Sequence, residues 1–140
     1  NVFYMLFAVF ITACSSPEFE LVDGRNKSLS EYQGQWLLIN YWAVWCKPCV
    51  TEIPEFNELN RRRGVAVISY NYDNTSGDLL AQQVAELGIE FPILRVDPAQ
   101  VFSQDMPSAL PATMLIDPEG RFDKWLMGPQ TLDGILKLIN

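Results

Sequence analysis

Asn40-Tyr41-Trp42-Ala43-Val44-Trp45-Cys46-Lys47-Pro48-Cys49 is the stretch on which the fold turns. Its first residues close a continuous apolar run, Trp36-Leu37-Leu38-Ile39-Asn40-Tyr41-Trp42, which suits a central strand buried on both faces. Its last residues open a helix expected from about Lys47 to Arg62, with Pro48 in the first turn, where the ring is preorganised and the missing N–H is no loss. On that helix Glu52, Glu55 and Glu58 are expected on the wetter side. Pro54 should kink it, and Gly64 should stop it. Two thiols at i and i+3, straight after a buried strand, have a mechanism. Unpaired N–H groups and the positive dipole end at a helix start stabilise a thiolate on Cys46. One helical turn then sets Cys49 behind it, near enough to resolve a mixed disulfide. Cys46 is thus expected as nucleophile and Cys49 as resolving thiol. The competing readings are weaker. A structural disulfide closing so small a loop constrains the unfolded chain little. A zinc half-site needs a second ligand pair, and the chain has no histidine and only Cys14 besides.

Outward from this centre the chain alternates. Phe19 to Val22 reads as a short strand before the Asp23-Gly24 turn, and Leu29 to Gln33 as one helical turn. Val65 to Tyr70 is the next buried strand. Thr75 or Ser76 is placed to cap a helix through Leu87, closed by Gly88. Pro92 to Val96 suits a short strand and Pro98 to Phe102 a helical turn. Ala112 to Asp117 and Arg121 to Met127 flank the turn Asp117-Pro118-Glu119-Gly120, hence an antiparallel hairpin. A last helix covers about Thr131 to Ile139. The order is β-α-β-α-β, a hairpin, then α: an α/β fold with a mixed sheet and helices on both faces.

At 140 residues the chain has room for one domain, and its 49% hydrophobic content supplies a core. Ten basic against 17 acidic residues give a formal charge of −7, which argues against a nucleic-acid partner. The one basic run, Arg61-Arg62-Arg63, reads as a solvated helix end in accord with the macrodipole. Without histidine, Ser-His and Cys-His pairs are excluded and no metal site is expected.

Val2 to Ala13 is almost unbroken apolar sequence, VFYMLFAVFITA. A run of about a dozen is the size of a signal-peptide core and short of the ~20 that span a bilayer. Residue 1 is Asn and no basic flank is visible, so a few precursor residues are expected upstream; a longer run there would instead be a membrane anchor. Ile11-Thr12-Ala13-Cys14 resembles the bacterial lipobox, which implies cleavage before Cys14 and lipid on its sulfur. An ordinary signal peptide with an incidental cysteine is the plainer alternative. The expected organisation is a signal peptide over 1–13, a lipidated tether over 14–18 and the folded domain over 19–140. That domain would work on the periplasmic or cell-surface side of a bacterial membrane, held by its lipid with no spanning helix.

The opening stretch, followed by Glu52 and Pro54, resembles the thioredoxin superfamily, and more narrowly its TlpA-like and ResA-like extracytoplasmic branch. A second motif, Leu110-Pro111-Ala112-Thr113-Met114-Leu115-Ile116-Asp117 with Glu119-Gly120, is similar to the same family. The resemblance implies a thioredoxin-like fold and a thiol–disulfide oxidoreductase without organic cofactor. It implies a cis bond before Pro111, with Leu110 preceding it, beside the cysteines. There a backbone edge is left free for a substrate chain to pair as an added strand. Trp45 would be a flat wall of the site, Trp42 core, and Pro92 and Pro107 ordinary loop or edge prolines. The long spacing from Cys49 to Pro111 resembles an insertion typical of TlpA-like proteins.

The chain also departs from the pattern. Classical thioredoxins carry a buried Asp where this chain has Asn40, which cannot ionise. The nearest acid is Glu52; similar proteins bear Glu there, which implies a partly buried carboxyl that modulates proton transfer to Cys49. A solvated carboxylate is the alternative. Lys47 either lowers the Cys46 thiolate pKa or points into water. The function implied is a membrane-tethered, monomeric reductase of periplasmic protein disulfides, such as those that keep cytochrome c haem-binding cysteines reduced. A membrane thiol–disulfide electron donor would recharge it. Two alternatives share the fold. A peroxiredoxin-like peroxidase would carry Thr or Ser where Ala43 stands, and a copper-delivery module is poorly served by a chain without histidine.

Overall fold

The computed structural model describes residues 16–139. In chain order the elements are β1 (Glu18–Glu20), β2 (Asn26–Ser28), a 3-10 turn at Leu29–Tyr32, β3 (Trp36–Trp42), α1 (Lys47–Asn60), β4 (Val65–Asn71), α2 (Gly77–Leu87) and β5 (Ile93–Leu94). A second 3-10 turn at Ala99–Phe102 then leads to β6 (Ala112–Ile116), β7 (Phe122–Met127) and α3 (Leu132–Ile139). The main sheet has the order β5-β4-β3-β6-β7; β3 and β4 are parallel, whereas β6 runs antiparallel to β3 and to β7. This is a thioredoxin-like fold.

Side-chain alternation on β3 explains the layering. Leu38 and Trp42 point into one core, with Ile53, Phe56 and Leu59 of α1, Leu80 of α2 and Ile135 of α3. Leu37, Ile39 and Tyr41 point into the other, with Ile68 and Met114 from the flanking strands. All three α-helices lie on the first face. The second is covered by β1, the two 3-10 turns and aromatic side chains such as Phe122 and Trp125, so the helical segments on the two faces are of unequal length. Right-handed crossovers that step twice in the same direction, β3 to β4 to β5, put α1 and α2 on one side.

Several boundaries differ from the sequence reading for identifiable reasons. Helix α1 ends at Asn60 rather than Arg62, Arg61 taking the cap position. It runs on through Pro54, whose missing N–H leaves the Val50 carbonyl without its usual donor. Ser76 stands at the α2 cap position without a side-chain bond there, while the Thr75 N–H goes to Asn71 Oδ1 (3.0 Å). Gly88 closes α2 in the left-handed region (φ 65°), as its position suggested. The strand expected over Pro92–Val96 shrinks to Ile93–Leu94. Polar β2 was not foreseen; it pairs β1 in a separate hairpin, and Leu21 bridges on to Leu94 at the edge of the main sheet.

Candidate active site

Strand β3 delivers its C-terminal end to the loop Ala43–Trp45, and Cys46 caps the helix that follows. Its Sγ accepts the N–H of Cys49 (3.3 Å), and its backbone is extended (φ −86°, ψ 91°). A sulfur at this position meets the unpaired donors of a helix start, the physical basis for a stabilised thiolate. The two cysteines form a disulfide with Cα atoms 5.3 Å apart. Cys46 is 5% exposed and Cys49 0%, so only the first can be approached from outside. Lys47 and Pro48 are exposed.

Trp45 is 61% exposed yet held. Its indole N–H lies 3.0 and 2.9 Å from the two carboxylate oxygens of Asp73, and its ring meets Tyr72 edge-on at 6.4 Å. The Leu110–Pro111 bond is cis. Tyr41 pairs with Ala112, so Pro111 enters β6 at the end of the sheet from which the cysteine loop leaves. Gly128 donates to the Pro111 carbonyl (2.9 Å).

Glu52 is not on the wet side of α1, where the helix pattern put it; it is 2% exposed, in line with the buried carboxyl that the resemblance implied. The correction has a simple cause. Cys49, Ile53 and Phe56 form the buried stripe at helical spacing, and Glu52 falls within it. Its Oε1 accepts from Asn40 Nδ2 (2.9 Å), and its Oε2 accepts from the Gln130 N–H (2.8 Å) just ahead of α3. Burial pushes its pKa up to about 7 despite these two donors. Glu55, half-buried, accepts from the Leu132 N–H (2.7 Å), so two α1 carboxylates meet the start of α3.

Beneath Glu52 the sheet carries a polar row that no linear pattern announced. Ser69, Asn40 and Thr113 stand in register on three adjacent strands, all fully buried. Asn40 Nδ2 also donates to Thr113 Oγ1 (3.3 Å), and Ser69 Oγ accepts from the Trp42 indole (3.2 Å). Asn40 Oδ1 has no partner among the described residues. A groove of about 440 Å³ beside the disulfide is lined by Lys47, Pro48, Thr51, Glu52 and Gln130 among others. Cys14 lies outside the described residues. Among the described residues no helix is long and apolar enough to cross a membrane.

Cysteines at the start of a helix, on a thioredoxin-like sheet and with a cis-proline at the same sheet end, define the class of thioredoxin-fold thiol–disulfide oxidoreductases. The chain belongs to the AhpC/TSA family, which it matches over residues 13–124. It is 33% identical over 145 aligned positions to the thiol-disulfide oxidoreductase ResA of Geobacillus thermodenitrificans, covering 94% of this chain and 82% of the relative. For the ResA of Bacillus anthracis the identity is 32%, over 89% of this chain and 76% of the relative. Solved structures share the fold as well. StoA from Bacillus subtilis superposes with TM-score 0.67 at 19% identity, over 89% of this chain and 96% of that one. The pneumococcal exposed lipoprotein thioredoxin from Streptococcus pneumoniae gives 0.69 at 24%, over 89% and 98%. The chain is accordingly a thiol–disulfide oxidoreductase that carries a Cys-x-x-Cys pair.

Proposed function

We propose that the chain is a lipid-tethered reductase of protein disulfides outside the cytoplasm. The observation that carries the reading is the asymmetry of the pair: Cys46 caps the helix and is reachable, and Cys49 is sealed behind it. In the reduced enzyme the Cys46 thiolate attacks one sulfur of the substrate disulfide. The other substrate sulfur leaves as a thiolate and takes up a proton. Cys49 then loses its proton and attacks Cys46 Sγ, releasing the second substrate thiol and leaving the enzyme oxidised by two electrons. A membrane thiol donor returns those electrons by the same exchange in reverse.

Glu52 takes the proton role. It lies one helical turn past Cys49 on the same buried stripe, and a carboxyl titrating near neutrality is suited to exchange protons at that depth. Trp45, Leu110 and Pro111 form the platform for the substrate chain. The reducing direction follows the resemblance to ResA-like proteins, which also suggests haem-binding cysteines of cytochrome c as substrates. Attachment through Cys14 rests on the sequence Ile11-Thr12-Ala13-Cys14.

Trapping tests the core of the reading. Cys49→Ser should freeze mixed disulfides on Cys46 when the protein is expressed in its native compartment, and their absence would defeat the exchange mechanism. Equilibration with a glutathione buffer reads the direction, because a potential near those of strong oxidants would reverse it. Metabolic labelling with palmitate should mark the unchanged protein and not Cys14→Ser. For Glu52, titration of both thiols in Glu52→Gln decides: two unchanged pKa values would remove it from the mechanism.

A further inference from the structure

The stretch Asp105–Leu110, which leads into Pro111, belongs to no helix or strand. Among the described residues one hydrogen bond fastens it to the rest of the fold: the Tyr72 hydroxyl donates to the Pro107 carbonyl at 3.1 Å. Pro107 is buried, whereas Ser108 and Ala109 are exposed. The same tyrosine reaches the cysteine loop. Its ring stands edge-on to Trp45 (86° between planes), its N–H donates to the Trp42 carbonyl (2.8 Å), and the next residue, Asp73, takes the Trp45 indole N–H. Tyr72 and Leu110 both pack against the two cores at once, so they sit at the end of the sheet where the cores meet.

Fixing an exposed tryptophan costs side-chain entropy without burying it. Such an arrangement is useful where a partner must find the ring already in place. We propose that Tyr72 is a positioning residue that sets the separation between the Trp45 wall and the Leu110–Pro111 edge, and so makes the dithiol selective for an extended protein segment over a small disulfide. The inference rests on the oxidoreductase reading and on the platform assigned above. A protein segment must touch both walls, and its binding depends on their spacing. A small aromatic disulfide needs only Cys46 and is indifferent to it.

Tyr72→Phe tests this with little disturbance, since it keeps the ring against Trp45 and removes only the hydroxyl. Pre-reduced protein, freed of reductant, is mixed under single-turnover conditions with insulin or with 5,5′-dithiobis(2-nitrobenzoate). The variant should need about tenfold more insulin for half-saturation, with the same limiting rate and the same rate towards the small disulfide. Equal slowing with both disulfides, or no change with either, would overturn the inference alone. An unchanged chain that reduces neither disulfide would overturn the oxidoreductase reading beneath it.

Discussion

The two faces of β3 bury polar groups on different terms. On the face away from the α-helices the polar atoms are matched. Tyr41 donates to Asp97 at 2.6 Å, Asp97 also takes the Ala99 N–H at 3.1 Å, and burial with the neighbouring carboxylate pushes the tyrosine pKa up. The rest is packing, with Tyr41 edge-on to both Tyr70 and Trp125. On the helix face Asn40 keeps an unpartnered oxygen and bonds Glu52, a carboxyl poised near neutrality one helical turn past Cys49. A buried polar group without full satisfaction is costly. One strand therefore faces a fully matched layer with one set of side chains, and with the alternate set it places Asn40 against the Glu52 carboxyl amid core residues Leu38 and Trp42.

That contrast can be broken by substitution, and the effects should differ in kind as well as in size. Cys46→Ser is expected to lower insulin-reduction rate at least about a thousandfold, equivalent to about 4 kcal/mol of barrier, with the urea midpoint of the reduced protein nearly unmoved. Met114→Ala, in the packing face, should do the reverse: about 4 kcal/mol less stable in urea unfolding, with the redox potential unchanged. If its potential shifts, the two faces are not separable.

Glu52 sharpens the comparison through pH. Its carboxyl is neutral more readily in the fold than in the unfolded chain, where it titrates near its ordinary 4.5. The folded state thus holds a proton that the unfolded state releases, so stability declines as pH rises from about 4.5 to about 7. The loss is on the order of 3 kcal/mol across that window. Glu52→Gln should flatten this dependence, as read by urea unfolding of the oxidised protein at pH 4.5 and pH 8. A wild type equally stable at both would contradict the burial account. The smallest effect belongs to the matched face. Tyr41→Phe leaves Asp97 short of one donor and should cost about 2 kcal/mol, with thiol titration untouched.

What the sequence disclosed depended on how local the cause was. Strands β3, β4, β6 and β7 were legible because long apolar runs and the Asp117–Gly120 turn are properties of consecutive residues. The start of α1 was legible because a cysteine cap and an early proline are local too. Asn40, Ser69 and Thr113 form a row only through strand register, and nothing within any one strand predicts its neighbours. The burial of Glu52 had two signals, its place in the Cys49–Ile53–Phe56 stripe and the family resemblance, while its alignment with Glu55 and Glu58 suggested a wet face. Tyr72 and Pro107 carried none, since they meet across 35 residues of chain. Polar β2 has no apolar alternation, and its strand character comes from its pairing with β1.

The small hairpin of β1 and β2 has a mechanical consequence. Three residue pairs hold it together, and the bridge from Leu21 to Leu94 fastens it to the edge of the main sheet. A pull on the N-terminal end enters the domain at β1 and peels these pairs one at a time. The long parallel contact of β3 with β4 is loaded only afterwards. Phe19 and Leu21 are buried in the second core, so drawing β1 away must also bare apolar surface, and the hairpin resists tension as a glued seam and not as a row of three pairs alone.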